Sequence, residues 1–347
     1  MPLVSVVIPV YNIAPHLRQC LDSVMNQTLR ELEIICVDDG STDDSPKILA
    51  QYAAQDSRVR VIAQKNAGPG AARNTGMAKA TGKYLVFLDS DDWIEPSMLE
   101  KMVRSADETG AEIVICKSVE FDTDTGKNRP SEWMLKTELL PGLEFEPKDI
   151  AEHIFQFTYG WPWDKLYRTD FVRRESLSYP RLPNSEDLVF VFQSLVLARK
   201  ISVVNQVLVH HRVNRKSSVS NSRHRDPEVP YQALSQLKDA LQQRVMFSQY
   251  KCSFLSWATE FMVWNVAQMG DKPTRKRYYK KLQKEWLPSL PFQYPVRRCL
   301  KNGAVYGKYI LARHFPYCFF AAAVFVYETC KQSVLNQKTK NSAAASL

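Results

Sequence analysis

Five short runs of β-branched and aliphatic residues, spaced by segments of helical period, fill the first 117 residues, and few folds accommodate that alternation. LVSVVIPV (3–10) precedes an amphipathic stretch, Ala14–Met25, with Leu17, Leu21 and Val24 on one side. LEIICVDD (32–39) leads through a Gly-Ser-Thr turn to a helix over 44–54, and VRVIA (59–63) through a Gly-rich turn to one over 71–80. KYLVFLD (83–89) precedes a helix over 96–109, and EIVICK (112–117) supplies the fifth strand. Strands bounded by polar turns and spaced by helices define βαβ units around a mostly parallel sheet. Helices then cover both faces, which accounts for apolar runs that are continuous instead of alternating. The expected fold class is α/β, a mostly parallel central sheet flanked by helices and followed by a helical C-terminal region.

Beyond residue 120 the pattern loosens into aromatic and proline-rich sequence without a simple period. From Pro230 it becomes helical: Leu234, Leu237 and Leu241 share a spacing continued by Phe254, Trp257, Phe261, Met262 and Val266. KPTRKRYYKKLQKEW (272–286) reads as a strongly basic helix. The expected division is 1–225 for the α/β domain, 226–335 for a basic helical region and 336–347 for a disordered polar tail.

Charge is distributed in the same way. The chain carries 46 Lys and Arg against 37 Asp and Glu, a net of +9. Residues 270–347 alone hold 15 Lys and Arg with only Asp271, Glu285 and Glu328, a local +12. These basic residues lie away from the acidic strand ends and no nucleic-acid module is present, so no nucleic-acid partner is expected. They interleave with Tyr279, Trp286, Phe292, Tyr309 and the run FPYCFFAAAVFVY, which suits either an anionic membrane surface or a solvated basic face over a buried helix. The uncharged stretch 315–327 is too short to cross a bilayer as a helix, which takes about 20 residues. Seven cysteines without a C-x-x-C pair read as reduced thiols, and the apolar N-terminus reads as a strand, not a secretory signal. The expected location is cytoplasmic, on or near the inner membrane face.

Ligands of such sheets bind beyond the carboxyl ends of the strands, and four unusual clusters stand there. They are Pro9-Val10-Tyr11-Asn12, Asp38-Asp39-Gly40-Ser41-Thr42-Asp43, Gly68-Pro69-Gly70-Ala71-Ala72-Arg73-Asn74 and Asp89-Ser90-Asp91-Asp92. Three carboxylates in four residues repel one another unless a cation or strong donors neutralise them. An oxygen-only set suits Mg2+ or Mn2+, unless the run is simply an acidic turn before the next helix. A carboxylate at Asp38 or Asp39 either accepts from a base or ribose, or forms an Asx turn into Gly40-Ser41-Thr42. The GPGAARN segment follows the third strand and has Arg73 in place of a final glycine, which argues against a dinucleotide oxidoreductase. Arg73 either holds a carboxylate or phosphate near the helix start or lies exposed there.

Two further clusters come later. Asn184-Ser185-Glu186-Asp187 precedes the apolar run LVFVFQSLVLA, so its acids are either caps or a carboxylate held in place as a general base requires. His210-His211-Arg212 and Asn214-Arg215-Lys216-Ser217-Ser218 follow ISVVNQVLV, and form either a diphosphate-binding set or a solvated basic loop.

Together these segments resemble the family 2 glycosyltransferases of GT-A fold, of the bacterial surface-polysaccharide type. VSVVIPVYN, VDDGSTDDS, NAGPGAARNTG, FLDSDDW, WDKLYR (163–168), NSEDLVF (184–190) and HHRVNRKSSVS (210–220) occur in the family's order over roughly residues 3 to 220. The resemblance implies inverting transfer of a sugar from a nucleoside diphosphate donor, a UDP-sugar, to a hydroxyl of a glycan or lipid-linked acceptor in cell-surface polysaccharide synthesis. It places Tyr11 and Asp39 at the base, with Asp39 accepting the uracil N3–H and Pro9 shaping the pocket. Asp89 would meet the ribose, Asp91 the Mn2+ or Mg2+ on the diphosphate, and Arg212 and Ser217 the β-phosphate. Asn12, Arg73 and Ser90 would complete the donor contacts, and Asp187 would be the general base. Asp164 stands where the family's WNKLYR has Asn. The alternative is a non-catalytic sugar-nucleotide-binding subunit of a glycan-assembly complex, against which the presence of both Asp91 and Asp187 weighs.

Overall fold

A computed structural model describes residues 2–214, 227–244, 247–292 and 295–326. Strands β1 (Val4–Val10), β2 (Leu32–Asp38), β3 (Val59–Ala63) and β4 (Tyr84–Phe87) pair in parallel in the order β3-β2-β1-β4. Helices α1 (Ala14–Met25), α2 (Ser45–Gln55) and α3 (Pro69–Lys79) make the crossovers. Val4, Val6, Val7, Ile8 and Val10 of β1 are all buried, the two-faced burial that its unbroken apolar sequence requires. In α1 the predicted stripe of Leu17, Leu21 and Val24 is buried together with Cys20. Strand β1 has β2 on one side and β4 on the other, so the ends of β1 and β4 flank a switch point in strand order.

The second half of the sheet is built differently. After β5 (Trp93–Ile94) and α4 (Met98–Thr109), the expected fifth strand appears as β6 (Ile113–Asp122), but it does not lie beside β4. Two short strands, β7 (Lys127–Arg129) and β8 (Glu144–Phe145), precede β9 (Lys165–Arg168), which inserts between β4 and β6 and runs antiparallel to both. Four residues with a Lys and an Arg carry little strand signal. They are admitted because Leu166 and Tyr167 are buried and the Lys165 ammonium is satisfied internally.

Helices α5 (Thr169–Arg174) and α6 (Glu186–Leu197) lead to β10 (Ile201–Val213), parallel to β6. The sheet order is β3-β2-β1-β4-β9-β6-β10-β5, with β7 on β6 and β8 on β10. Because β10 runs to Val213, His210, His211 and Arg212 lie on a strand and not in the basic loop their sequence suggests.

The chain forms two compact units, Met1–Ser253 and Phe254–Leu347, and the division falls inside α8 (Phe247–Ala267). Helix α7 (Val229–Gln243) packs against α6 and so belongs with the sheet, although the sequence pattern changes near residue 225. In the second unit the basic segment forms α9 (Lys272–Lys281), continued by a π-helical turn over Leu282–Trp286. Asp271 caps α9 by accepting from Thr274 N, and Asn302 caps α10 (Gly303–His314) by accepting from Ala304 N and Val305 N. The Tyr279 hydroxyl donates toward the carbonyl of Phe315, and its ring packs on Phe320. No described helix is long and apolar enough to cross a membrane. The predicted tail, 336–347, lies outside the described residues.

Candidate active site

At the ends of β1 and β2, two loops are stapled by Asn12, which adopts a left-handed backbone with φ 47°. Its N–H donates to Ser41 Oγ at 3.1 Å, and its Oδ1 accepts from Thr42 N at 2.7 Å and Asp43 N at 3.3 Å. Tyr11 beside it stands 51% exposed at the rim, and Pro9 is half-buried. The adjacent carboxylates of β2 separate into two jobs. Asp38 Oδ1 accepts from Ser41 N at 3.0 Å, an Asx turn. Asp39, 2% exposed, accepts from Gln64 Nε2 at 2.7 Å, Ala67 N at 2.9 Å and Gly68 N at 2.8 Å. The residue expected at the base therefore also fixes the β3–α3 loop.

That loop delivers Arg73, whose side chain is only 5% exposed. Nη2 donates to Asp89 Oδ1 at 2.7 Å and Nη1 to Glu186 Oε1 at 2.6 Å, while the guanidinium lies over the Tyr179 ring at 5.3 Å. Burial alone would make the cation easier to deprotonate, but Asp89 and then Glu186 outweigh it and hold Arg73 firmly charged. Asp187 adds to the same field. Arg73, expected to grip a carboxylate or phosphate of the donor, grips two carboxylates of the protein. The neighbouring Asn74 clamps the same segment, donating to Tyr179 O at 2.8 Å and accepting from Tyr179 N at 2.9 Å. Gly70 is what lets Glu186 in: a Cβ there would stand 2.7 Å from Glu186 Cγ.

In the acidic turn after β4, burial separates the three carboxylates. Asp92 is fully buried, with Oδ1 accepting from Arg212 N at 2.8 Å and Oδ2 facing His211 Nδ1 at 2.9 Å. Burial pushes Asp92 up to about 6. Burial alone would depress His211, yet Asp92 outweighs it and raises the imidazole above its ordinary value. Arg212, 8% exposed, donates from Nε to Asp91 O at 2.9 Å and from Nη2 to Gln19 Oε1 at 2.6 Å. Its guanidinium carbon lies 5.0 Å from the Trp93 ring and 5.2 Å from the Phe121 ring, two rings that themselves meet edge to face at 5.0 Å.

Asp89 is thus neutralised by Arg73 and Asp92 by His211, with Asp91 half-buried between them and Ser90 buried. Among the described residues no three His, Cys, Asp or Glu side chains are arranged to hold a metal ion by themselves. A hard cation bound at this turn would draw on one carboxylate of the protein and complete its shell from phosphate oxygens and water.

Asp187 lies in the first turn of α6, next to Glu186, and its Oδ1 accepts from Leu188 N at 3.0 Å. Ser217 lies outside the described residues. Asp164, the departure from the family pattern, is 1% exposed, and its Oδ1 is 2.7 Å from Nζ of the fully buried Lys165. The same ammonium donates to Tyr159 O at 3.1 Å, Trp161 O at 2.8 Å and Thr158 Oγ1 at 3.3 Å. Burial pushes the Asp164 carboxyl up against the pull of Lys165. The sequence marks Asp92, Glu186 and His211 only as members of clusters, and Lys165 only within WDKLYR. Each stands inside a segment quoted above, but the burial and pairing that give it a role come from residues far along the chain.

The sheet, its switch point and the acidic turn beside it define a GT-A-like fold. The chain belongs to glycosyl transferase family 2, whose model matches residues 5–176. It is 41% identical over 228 residues to the putative glycosyltransferase EpsH of Bacillus subtilis (strain 168), covering 63% of each chain. A match at 31% identity to the uncharacterized glycosyltransferase EpsJ of the same organism covers 67% of this chain and 64% of that one. The chain therefore spans less than two thirds of the length of these relatives. In structure it resembles Staphylococcus aureus TarS 1-349 in complex with UDP-GlcNAc, with a TM-score of 0.57 and 19% identity over 91% of this chain and 93% of that one. The mannosyltransferase PcManGT from Pyrobaculum calidifontis, in complex with GDP-Man and Mn2+, gives a TM-score of 0.51 at 17% identity, covering 94% and 86%.

Proposed function

We propose that the chain is an inverting glycosyltransferase that moves a sugar from a nucleoside diphosphate, a UDP-sugar, to a hydroxyl of a glycan or lipid-linked acceptor in polysaccharide synthesis. The observation that carries this reading is the Arg73 bridge, which joins the acidic turn at Asp89 to the Glu186-Asp187 pair. A donor-binding turn and a candidate base linked through one buried cation suit a single displacement better than a binding-only subunit.

In this reading Tyr11 covers the base, Asp39 accepts its N–H while holding the β3–α3 loop, and Pro9, Asn12 and Ser90 shape the surroundings. Asp89 meets the ribose with its other oxygen. Asp91 holds a divalent cation, Mn2+ or Mg2+, which when bound neutralises charge on the donor diphosphate. Arg212, which donates to the Asp91 carbonyl, keeps a second positive charge beside the leaving diphosphate, and Ser217 meets the β-phosphate as the family resemblance implies. Asp187 takes the proton of the acceptor hydroxyl as that oxygen bonds to the anomeric carbon, and the bond to the diphosphate breaks on the opposite face. One displacement inverts the centre without a covalent intermediate. The bound donors of TarS and PcManGT support a nucleotide-sugar substrate.

The second unit supports attachment to an anionic membrane surface at the cytoplasmic face. Phe315 is 41%, Phe319 54% and Phe325 72% exposed, beside the basic residues Arg313 and His314 that end α10.

The test is a screen of nucleoside diphosphate sugars for diphosphate release and transfer with Mn2+ or Mg2+, run beside Asp187→Asn. Loss of the base should cost roughly 100- to 10,000-fold in transfer while donor binding is retained. Near-normal transfer by the variant would remove Asp187 as the base, and a chain that binds no donor would remove the reading altogether.

A further inference from the structure

One feature of the first unit has no part in the chemistry above. Tyr159, Trp161, Trp163 and His211 form one ring cluster: Trp161 meets Tyr159 at 4.8 Å and 27° and Trp163 at 5.3 Å and 19°, and His211 meets Trp163 at 4.9 Å and 15° and Trp161 at 5.5 Å and 33°. Its inner end is His211, the partner of Asp92 in the acidic turn. At its outer end Tyr159 is 44% exposed and meets Trp133, 40% exposed, edge to face at 4.8 Å and 81°. Two large, half-exposed rings thus make a right-angled corner at the surface.

The corner is built to stay in place. Lys165 Nζ, fully buried, donates to the carbonyls of Tyr159 and Trp161 and is balanced by Asp164. Tyr159 N donates to Met134 O at 3.3 Å, which ties the Trp133 segment to the same loop. The loop also packs closely on α6 beside the candidate base: a Cβ on Gly160 would stand 2.5 Å from Leu188 Cδ2, on the residue next to Asp187. Committing a buried ammonium to the backbone of an exposed aromatic loop fixes that loop before anything binds, which lowers the ordering cost of binding.

We propose that the Trp133–Tyr159 corner is a subsite for pyranose residues of the acceptor glycan, which the stacked rings connect to the catalytic end of the sheet. This rests on the glycosyltransferase reading and names the chemistry of its acceptor side. A pyranose presents a face of C–H bonds made electropositive by neighbouring oxygens, and that face packs on the electron-rich face of an aromatic ring. Its hydroxyl rim stays in water, as a half-exposed corner allows. The exposed Glu132 beside Trp133 disfavours an anionic lipid surface here. The base of the donor has its own expected platform at Tyr11, on another strand end.

The test uses the full chain, Trp133→Ala and Tyr159→Ala, with gluco-, galacto-, manno- and N-acetylglucosamine-type tetrasaccharides as probes followed by saturation-transfer NMR. UDP binding is titrated separately. We expect at least one tetrasaccharide to bind the parent chain and each substitution to weaken it about fivefold or more, with UDP affinity unchanged. Both side chains are half-exposed, and a matched thermal melt confirms that each variant is folded. If no tetrasaccharide binds, or if both variants bind as tightly as the parent, the subsite is overturned. A chain that binds tetrasaccharide at the corner but no donor keeps the subsite and discards the transfer reaction. The reverse outcome discards the subsite alone.

Discussion

Arg73 Nη1 lies 2.6 Å from Glu186 Oε1, and each of the two side chains is only 5% exposed, although 113 positions separate them in sequence. With Asp89 on Nη2, Arg73 touches both acidic motifs of the candidate site. Arg73→Met would strand the buried Glu186 carboxylate and leave the part-exposed Asp89 unpaired, and removing one partner of a buried pair destabilises by about 3–5 kcal/mol. Chemical denaturation should show a loss of that order. Glu186→Gln keeps the shape and should cost less stability, but it frees the first turn of α6, so kcat should fall while the donor KM holds. Unchanged stability in Arg73→Met would show that the bridge is not a structural element.

Asp91→Asn tests the cation. If this carboxylate holds it, donor affinity in the parent chain should rise roughly tenfold or more on adding Mn2+, and the variant should lose that dependence. Isothermal titration of donor with and without Mn2+ reads both. An Asn variant that responds to Mn2+ as the parent does would move the metal away from Asp91.

Acid stability should depend on Glu33. Burial alone would raise its carboxyl, but bonds from Ser5 Oγ at 2.6 Å, Thr81 N at 2.6 Å and Thr81 Oγ1 at 2.8 Å, with Arg60, hold it below the usual range. Its folded value lies below its unfolded one, so the unfolded chain binds more protons in that window. The stabilisation is present above the ordinary carboxylate value and lost as pH falls through the folded one. Between about pH 6 and pH 3 the melting temperature of Glu33→Gln should fall less steeply than that of the parent. Parallel curves would place the acid sensitivity elsewhere.

Membrane attachment makes a prediction about salt. The full chain should sediment with anionic vesicles and not with zwitterionic ones, and rising ionic strength should release it. Phe319→Ser with Phe325→Ser should weaken the binding even at low salt, because the apolar part is screened by no ion. Equal recovery with both kinds of vesicle would remove the electrostatic half of the proposal.

The repeated alternation of strand and helix through residue 117 made the first half of the sheet legible, because each βαβ unit is local in sequence. The acidic turn and the Glu186-Asp187 pair were legible as clusters for the same reason. What separates their members is long-range. Nothing near Asp92 announces that His211 and the N–H of Arg212 will enclose it, and nothing near Arg73 points to Glu186. Strand β9 escaped notice because its strand character comes from β4 and β6 on either side, and Lys165 reads as a surface residue until its four acceptors are seen. Asp39 and Asn12 stand at the strand ends, as their sequence positions imply, but how much of their hydrogen bonding serves the loops themselves depends on Gln64, Gly68 and Thr42.

The insertion of β9 between β4 and β6 bears on how the chain is made. During synthesis the β3-β2-β1-β4 portion emerges first, yet the free edge of β4 meets its partner only when Lys165–Arg168 leave the ribosome. Until then Tyr84, Leu85 and Val86 present an unpaired apolar edge, the kind of surface on which nascent chains aggregate. A burst of chaperone dependence ending as translation passes Arg168 would be the cellular trace of that strand order.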